Sequence, residues 1–138
     1  MEKQDSKLRV LIAEDNLNIL QETRNLLRRE FDLVATAETG VRLIAAAAEF
    51  KPDVVVTDIN MPELNGIEAG RRILALGCCK TIVALSTSNS PEIVRLALEA
   101  GILGYVLKEN AGEELISAIY AAVHGERFLS SGIQPLGS

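Results

Sequence analysis

The sequence predicts an α/β domain built on a doubly wound parallel sheet of five strands, in the order 2-1-3-4-5, with five helices around it. Short apolar runs alternate with longer amphipathic stretches five times along the 138 residues. Two runs, Val54–Val56 and Ile82–Leu85, are apolar at every position, which is typical of parallel strands covered on both faces. Right-handed crossovers favour this strand order, which places a functional site outside the carboxyl ends of the strands.

The five apolar runs are the predicted strands, and a stripe of apolar residues at helical spacing predicts a helix after each of them. The strands are Val10–Ala13, Leu33–Ala37, Val54–Val56, Ile82–Leu85 and Tyr105–Leu107. The helical stripes are Leu17, Leu20 and Leu27; Leu43, Ile44 and Ala47; Ile67, Gly70, Ile73 and Leu74; Ile93, Leu96, Ala97 and Ala100; and Leu115, Ile116, Ile119, Ala122 and Val123.

Residues with strong backbone preferences predict where the last two helices begin and end. Ser90 and Pro91 are a typical cap and first residue for the fourth helix. Gly101 and Gly125 follow the fourth and fifth helices, where a left-handed residue ends a helix. The segment 126–138 is rich in Ser, Gly and Pro, which indicates a frayed end or the start of a linker.

Composition and charge exclude several classes of protein. The chain has 14 Lys and Arg against 19 Asp and Glu, a net charge of −5, so it lacks the basic footprint of a protein that grips nucleic acid by itself. No apolar run approaches the roughly 18 residues that span a bilayer, and no signal peptide opens the chain. The adjacent Cys78 and Cys79 and the single His suggest neither a disulfide framework nor a zinc site. These features predict a cytoplasmic protein of one domain without membrane contact.

Acidic, hydroxyl and basic side chains follow four of the predicted strands at their carboxyl ends. Glu14 and Asp15 follow the first strand and Asp58 follows the third. Ser86 and Lys108 follow the fourth and fifth. Because the first and third strands are neighbours, three carboxylates should crowd into one crevice and recruit a cation. Oxygen ligands without His or thiolate suit Mg²⁺ or Mn²⁺, and with Lys108 and Ser86 the set forms a cradle for a transferred phosphoryl group.

Each of these residues has an ordinary structural explanation when it is taken alone. Asp15 is typical of a helix cap and Glu14 of a solvated surface acid. Lys108 is typical of a surface lysine, and Ser86 of a turn hydroxyl. Tyr105 is typical of a half-buried strand aromatic. The functional interpretation depends on finding such residues at the ends of four strands in one architecture.

The candidate residues lie in four parts of the sequence, Leu11–Asn16, Val56–Pro62, Ser86 and Gly104–Lys108. Together these parts resemble the receiver domain of two-component response regulators, which has the flavodoxin-like fold. In the second part, two residues separate Asp58 from the pair Met61-Pro62. Ser86 stands 28 positions after Asp58, and Lys108 stands 22 positions after Ser86. The resemblance covers about residues 8 to 125, with Asn65-Gly66 as a further shared feature.

The resemblance implies a role for each residue of the site. Asp58 would be the phosphoacceptor, and Ser86 and Lys108 would contact the phosphoryl oxygens. Mg²⁺ or Mn²⁺ would be held by Asp58 and, directly, by Asp15. Glu14, where the acid is more often Asp, would act on the metal largely through water. The domain would catalyse its own phosphorylation and dephosphorylation, unlike a metabolic enzyme, with a sensor histidine kinase or a small donor such as acetyl phosphate supplying the phosphoryl group.

Three further positions complete the roles that the resemblance implies. The backbone carbonyl of Asn60 would be the remaining protein ligand of the metal. Tyr105 would be the switch aromatic that responds to Ser86. Asn60 and Ser88 flank the path of a hydrolytic water and would tune dephosphorylation.

Two details resemble the NarL/FixJ-type regulators, which carry a LuxR-like helix-turn-helix output domain. Glu109 stands where many receivers have Pro, and Ala122–Ser130 is similar to the run before the linker in that type. We expect an N-terminal extension at 1–7, a receiver at 8–125 and a tail or linker start at 126–138, in an excised receiver rather than a natural single-domain regulator. DNA would be reached only through an output domain absent from this chain, which predicts control of transcription.

Phosphorylation of such a receiver should change a surface, and the chain itself is one expected partner. The predicted dimer face comprises the fourth helix, fifth strand and fifth helix. It would carry Tyr105, Glu92, Arg95, Glu99 and Glu113. Their mixed charges suit a modest, reversible interface. The first and fifth helices offer an alternative face.

Other classes of protein stay open at the level of sequence. A haloacid-dehalogenase-like phosphatase also uses a strand-terminal Asp with Mg²⁺, but it needs a second Asp where this chain has Asn60, and there is no room for a cap domain. A nucleotide or flavin module is disfavoured because no glycine-rich phosphate loop opens the first helix. A phosphorylation-independent receiver that acts only as a protein-interaction module is the alternative within the family.

Overall fold

The computed structural model describes residues 7–133. Residues 1–6 and 134–138, which contain most of the predicted extension and the end of the predicted tail, lie outside the described residues. The strands are β1 (Arg9–Ala13), β2 (Asp32–Ala37), β3 (Val54–Asp58), β4 (Ile82–Ser86), β5 (Gly104–Leu107) and β6 (Phe128–Leu129). The helices are α1 (Leu17–Leu27), α2 (Gly40–Phe50), α3 (Gly66–Leu76), α4 (Pro91–Glu99) and α5 (Ala111–Val123), and a 3-10 helix, Lys108–Asn110, precedes α5.

Within residues 7–133 the strands form one parallel sheet in the order β2-β1-β3-β4-β5-β6. The prediction of a doubly wound parallel sheet with five helices is confirmed, and the first five strands have the predicted order. The predicted number of strands is wrong, because β6 adds a sixth beside β5. Phe128 and Leu129 pair with Gly104 and Tyr105, so part of the predicted tail belongs to the sheet.

Helices cover the two faces of the sheet and divide the core into two layers. One layer packs α2, α3 and α4 against the sheet, and the other packs α1 and α5 against the opposite face. Every residue of β3 and β4 is buried, as their unbroken apolar runs predict. Two residues of the predicted stripes do not join the core, because Leu17 is 65% exposed and Leu96 is 45% exposed.

Asparagine side chains begin the helices nearest to the carboxyl ends of β1 and β3. Asn16 accepts a 3.1 Å hydrogen bond from the backbone amide of Ile19, so Asn16 and not Asp15 caps α1. Asn65 accepts a 2.9 Å bond from the amide of Glu68 and caps α3. Asp15 is therefore left free of a capping role at the mouth of the sheet.

The start and end of α4 follow the sequence prediction. Ser90 has extended backbone and Pro91 is the first helical residue, although the Ser90 side chain makes no capping bond. Gly101, with φ of +100°, provides the left-handed turn after α4. No helix of residues 7–133 is long and apolar enough to cross a membrane.

Candidate functional site

Three carboxylates meet at the carboxyl edge of β1 and β3. The two strands are neighbours, with Ala13 in register with Thr57, so the residues that follow them emerge side by side. One carboxylate oxygen from each of Glu14, Asp15 and Asp58 lies within 4.8 Å of the others. Glu14 is 2% exposed and Asp58 is 6% exposed, whereas Asp15 is exposed. The structure therefore brings together the acids that the sequence placed at one crevice, and Glu14 is not a solvated surface acid.

Lys108 approaches two of these acids from β5. Its Nζ lies 3.0 Å from Oε1 of Glu14 and 3.3 Å from Oδ1 of Asp58. The lysine side chain is 16% exposed, so it does not extend into solvent as a surface lysine does. A single cation thus bridges two buried carboxylates, which partly offsets the cost of holding two negative charges side by side in a poorly solvated place.

The protonation of Glu14 and Asp58 reflects this crowding. Burial raises the pKa of Glu14, against the lowering effects of the Asn16 amide and Lys108, and the charge of Asp58 adds to the rise. Burial likewise raises the pKa of Asp58, although Lys108 and the backbone amides of Asn60 and Ile59 favour its ionised form. The positive charge of Lys108 therefore does not fully compensate the burial of these two carboxylates.

The donor set at the acidic cluster fits a hard divalent cation. Oε1 of Glu14 is buried and accepts no well-directed hydrogen bond from the described residues, although Nζ of Lys108 lies close by. Carboxylate oxygens that converge without His or Cys are the ligands that Mg²⁺ and Mn²⁺ prefer. Asn60, whose carbonyl is the predicted further ligand, is exposed in the turn after β3. Its role in metal binding stays a prediction.

Ser86 and Tyr105 are connected through the loop that follows β4. Leu85 is in register with Asp58, so Ser86 comes one residue later at the same edge, where it is 1% exposed. The Ser86 hydroxyl accepts a 3.0 Å bond from the Ser88 amide, and the Ser88 carbonyl accepts a 2.7 Å bond from the Tyr105 hydroxyl. The backbone of Ser88 therefore connects the predicted switch residues, with one hydrogen bond to each of them.

The ring of Tyr105 lies inside the molecule. Tyr105 is fully buried, so the expectation that the face of α4, β5 and α5 carries Tyr105 is wrong for this conformation. The same burial contradicts the interpretation of a half-buried strand aromatic. Burial raises the pKa of Tyr105, while its hydrogen bonds with Ser86 and Ser88 act in the opposite direction.

Two residues beside the predicted site positions, Thr57 and Gly66, fix the backbone of Asp58. The buried hydroxyl of Thr57 donates a 2.8 Å bond to the Asp58 carbonyl. A Cβ at Gly66 would lie 2.0 Å from that same carbonyl oxygen, so only glycine allows α3 to start so close to the site. Gly66 was visible in the Asn65-Gly66 motif, whereas a lone Thr inside a buried strand carries no comparable signal.

The comparison with protein families decides between the classes of protein that the sequence left open. The model of the response regulator receiver domain matches residues 10–120. The chain belongs to this family. The resemblance read from the sequence motifs is confirmed, and the phosphatase and nucleotide-binding classes are excluded as the family of this domain.

Characterised and uncharacterised transcriptional regulators are similar to this receiver domain. YxjL of Bacillus subtilis is 38% identical over 122 residues, which are 87% of this chain and 56% of that protein. DesR of Bacillus subtilis is 35% identical over 86% of this chain and 59% of its own length. NarL of Escherichia coli K12, a nitrate/nitrite response regulator, is 32% identical over 92% of this chain and 60% of its own length. The chain thus spans little more than half the length of these relatives.

Solved structures of response regulators also resemble this domain. A LuxR-family two-component response regulator from Aurantimonas sp. SI85-9A1 superposes with a TM-score of 0.86 at 31% identity, covering 93% of both chains. The non-phosphorylated receiver domain of RcsB from Escherichia coli gives a TM-score of 0.81 at 28% identity, covering 90% of this chain and 98% of that one. The domain is therefore a response regulator receiver domain that is similar to the receivers of NarL and of LuxR-family response regulators.

Proposed function

We propose that this receiver accepts a phosphoryl group on Asp58 and changes conformation to control an output. The observation that carries the proposal is the position of Lys108 Nζ, 3.3 Å from Oδ1 of Asp58 beside a cluster of three acids. A cation at that distance is placed to neutralise the oxygens of a group that is being transferred to Asp58. Membership in the family of response regulator receiver domains and similarity to transcriptional regulators support the same function.

The transfer is a displacement at phosphorus. A carboxylate oxygen of Asp58 forms the new P–O bond, and the bond from phosphorus to the donor breaks, which is P–N for a phosphohistidine and P–O for acetyl phosphate. The leaving imidazole takes up a proton from water, whereas acetate leaves as the anion. Lys108 holds its charge against the phosphoryl oxygens throughout, and the Ser86 hydroxyl donates to another of them.

The same residues indicate how a metal would assist. Asp15 and Asp58 would bind Mg²⁺ or Mn²⁺ directly, Glu14 would act largely through water, and the carbonyl of Asn60 would complete the protein ligands. When bound, the cation reduces the repulsion between an anionic nucleophile and an anionic donor. The side chains of Asn60 and Ser88 lie beside the path of a hydrolytic water in this proposal and tune the lifetime of the product.

Phosphorylation would reach the rest of the domain through the hydrogen bonds already described. Movement of Ser86 toward a phosphoryl oxygen would displace the Ser88 amide that it accepts from, and with it the carbonyl that holds Tyr105. Such a change favours one of two packings of α4 and β5, because only one of them contacts the phosphoryl group.

A sensor histidine kinase is the proposed donor, and the proposal includes the cytoplasmic location predicted from the sequence. The output would be transcription, through a DNA-binding domain of the kind that the curated relatives' names imply. A phosphorylation-linked dimer is part of the proposal. RcsB, one of the structural neighbours, has been solved as two dimers bound to two parallel DNAs.

The test is intact mass spectrometry after incubation with acetyl phosphate and Mg²⁺. We expect one phosphoryl group on the wild-type chain and none on Asp58→Asn, because an amide is a poor nucleophile. Asp32→Asn, the same change at an exposed Asp in β2, should be phosphorylated like the wild type. No adduct on the wild-type chain would contradict the proposal and favour a phosphorylation-independent interaction module, whereas an adduct on Asp58→Asn would show that another residue is the acceptor.

A further inference from the structure

After α5 the chain returns to the neighbourhood of the site through a cluster of polar side chains. Ser130 follows β6 and is 2% exposed. Its hydroxyl donates a hydrogen bond to the carboxylate of Glu114 and accepts a 3.1 Å bond from Nδ2 of Asn110. The Ser131 amide donates to Oε2 of Glu114 at 3.2 Å, and the Ser131 carbonyl accepts from Nδ2 of Asn110 at 3.4 Å. Residues 130–131 are therefore bonded to both ends of the junction between the 3-10 helix and α5.

The side chain of Asn110 makes these bonds and does not cap α5. It stands at the N-cap position of α5, where an Asn side chain usually accepts a bond from the first turn, but it makes no such bond. Its amide group instead donates to Ser130 and Ser131. Asn110 is also the last residue of the 3-10 helix that Lys108 begins, so the C-terminal segment is attached to the turn that carries the lysine of the site.

The same segment is attached to the strand on the other side of that turn. The Ser130 amide donates a 2.9 Å bond to the carbonyl of Tyr105, three residues before Lys108. Through its backbone and its hydroxyl, Ser130 thus holds the chain both before and after Lys108. A lysine side chain has four flexible carbons, so the position of its ammonium group depends on how firmly its backbone is fixed.

We propose that Ser130, through its bonds to Asn110 and Glu114, is a positioning residue for Lys108 in the phosphoryl site. The proposal rests on the function proposed above and adds a residue outside the receiver motifs. Segment 130–131 keeps the turn in the arrangement that places Nζ against Asp58, so the segment and a phosphoryl group stabilise the same state. By linkage, a phosphoryl group or its mimic should in turn tighten the bonds of the segment.

The experiment measures the affinity of the 138-residue chain for beryllofluoride at saturating Mg²⁺, by fluorine NMR. Ser130→Ala removes one hydroxyl and should weaken beryllofluoride binding about threefold to tenfold, the range expected for loss of one or two hydrogen bonds. Ser131→Ala is the matched control, because Ser131 is exposed and uses only its backbone in the cluster. It should bind beryllofluoride as the wild type does.

A double-mutant cycle separates positioning of Lys108 from a general structural effect. In a Lys108→Ala background, Ser130→Ala should cause no further loss of beryllofluoride affinity, because the group that it positions is gone. A loss of the same size in both backgrounds would overturn the proposal, and so would wild-type affinity of Ser130→Ala itself.

Hydrogen exchange tests the same proposal without any phosphoryl group. Ser130→Ala should speed exchange of the amides of residues 108–112 relative to Ser131→Ala, while the amides of β1 stay unchanged. Absence of beryllofluoride binding by the wild-type chain would contradict the proposed function, and the exchange result would then decide whether Ser130 fixes the turn. Unchanged exchange at residues 108–112 would overturn the positioning role.

Discussion

The hydroxyl of Tyr105 donates a 2.7 Å hydrogen bond to the backbone carbonyl of Ser88, across the space between β5 and the loop after β4. Ser88 also donates its amide to the Ser86 hydroxyl, so one residue holds both the ring and the site hydroxyl. A phenol that is fully buried and bonded in this way is sensitive to anything that removes its proton or moves its acceptor.

We expect the domain to lose stability at alkaline pH through Tyr105. Burial raises the pKa of Tyr105, so the neutral phenol is favoured in the folded state over the unfolded state, whose pKa is about 10. The resulting stabilisation is complete below that value and is lost as the pH rises through the folded pKa. Tyr105→Phe should therefore show a smaller fall in Tm than the wild type between about pH 9 and pH 11.5.

The control for this prediction is Tyr120→Phe. Tyr120 is 37% exposed and donates to the carboxylate of Glu30, which raises its pKa. Because its phenolate would be solvated, Tyr120→Phe should change the alkaline slope less than Tyr105→Phe does. Equal slopes for the wild type and Tyr105→Phe would contradict the assignment of the alkaline loss to Tyr105.

Asp58→Asn should not unfold the metal-free domain. The pKa of Asp58 is raised by burial, so its share of stability is present below the unfolded pKa of about 4 and is lost as the pH rises through the folded pKa. The amide removes this loss, and Lys108 keeps Glu14 as a partner at 3.0 Å. At pH 7 we expect an unfolding free energy equal to that of the wild type or higher by about 1 kcal/mol.

Urea unfolding in EDTA at about pH 4 and pH 7 checks this expectation. The advantage of Asp58→Asn should shrink toward the acidic value, because Asp58 is then protonated in the wild type. Asp32→Asn, at an exposed carboxyl, serves as the reference. A variant destabilised by several kcal/mol at pH 7 would show that Asp58 has a structural role instead.

Replacing Asp15 should mainly weaken metal binding, whereas replacing Glu14 should mainly lower stability. Asp15 is exposed and would bind Mg²⁺ directly, so Asp15→Ala should weaken Mg²⁺ binding about tenfold or more at little cost in stability. Glu14 is 2% exposed, so Glu14→Ala leaves a cavity and should lower stability clearly even though Lys108 keeps Asp58 as a partner at 3.3 Å, while Mg²⁺ affinity should fall less. Calorimetric titration and thermal unfolding measure the two effects, and equal Mg²⁺ affinities for the variants would refute the ranking.

Much of the fold was predictable because a local pattern and the tertiary structure agree. The runs at Val54–Val56 and Ile82–Leu85 are buried on both faces, and their apolar residues are continuous for that reason. The convergence of Glu14, Asp15 and Asp58 followed from strand order alone, since residues after adjacent parallel strands must meet at one edge.

The parts of the fold that the sequence did not predict depend on contacts between residues that are distant along the chain. Phe128 and Leu129 are only two apolar residues, and they form a strand because β5 offers a free edge beside them. Leu17 has helical spacing but is the first residue of α1 and stays 65% exposed. The bonds of Asn110 and Glu114 to Ser130 join residues 16 and 20 positions apart, so nothing in the sequence around any one of them predicts the cluster.

Association of the phosphorylated domain should use the face of α1 and α5. The face of α4, β5 and α5 that the sequence predicts for the dimer has no free strand, because the edge of β5 is paired with β6, and it has no exposed Tyr105 ring. Between α1 and α5 lies a cavity of about 450 Å³ lined by Ile19, Leu26 and Lys108, among others. Lys108 borders both this cavity and Asp58, so we expect a change at the site to affect this face.

Sedimentation at several concentrations, with and without beryllofluoride and Mg²⁺, tests this choice of face. We expect a monomer or weak dimer that shifts toward dimer with beryllofluoride. Glu22→Arg reverses the charge of an exposed α1 residue that lines this cavity and should abolish the shift, whereas Leu96→Arg, at an exposed residue of α4, should leave it intact. The reverse result would assign the interface to α4. An unchanged mass in every sample would leave contact with an attached output domain as the way in which phosphorylation acts.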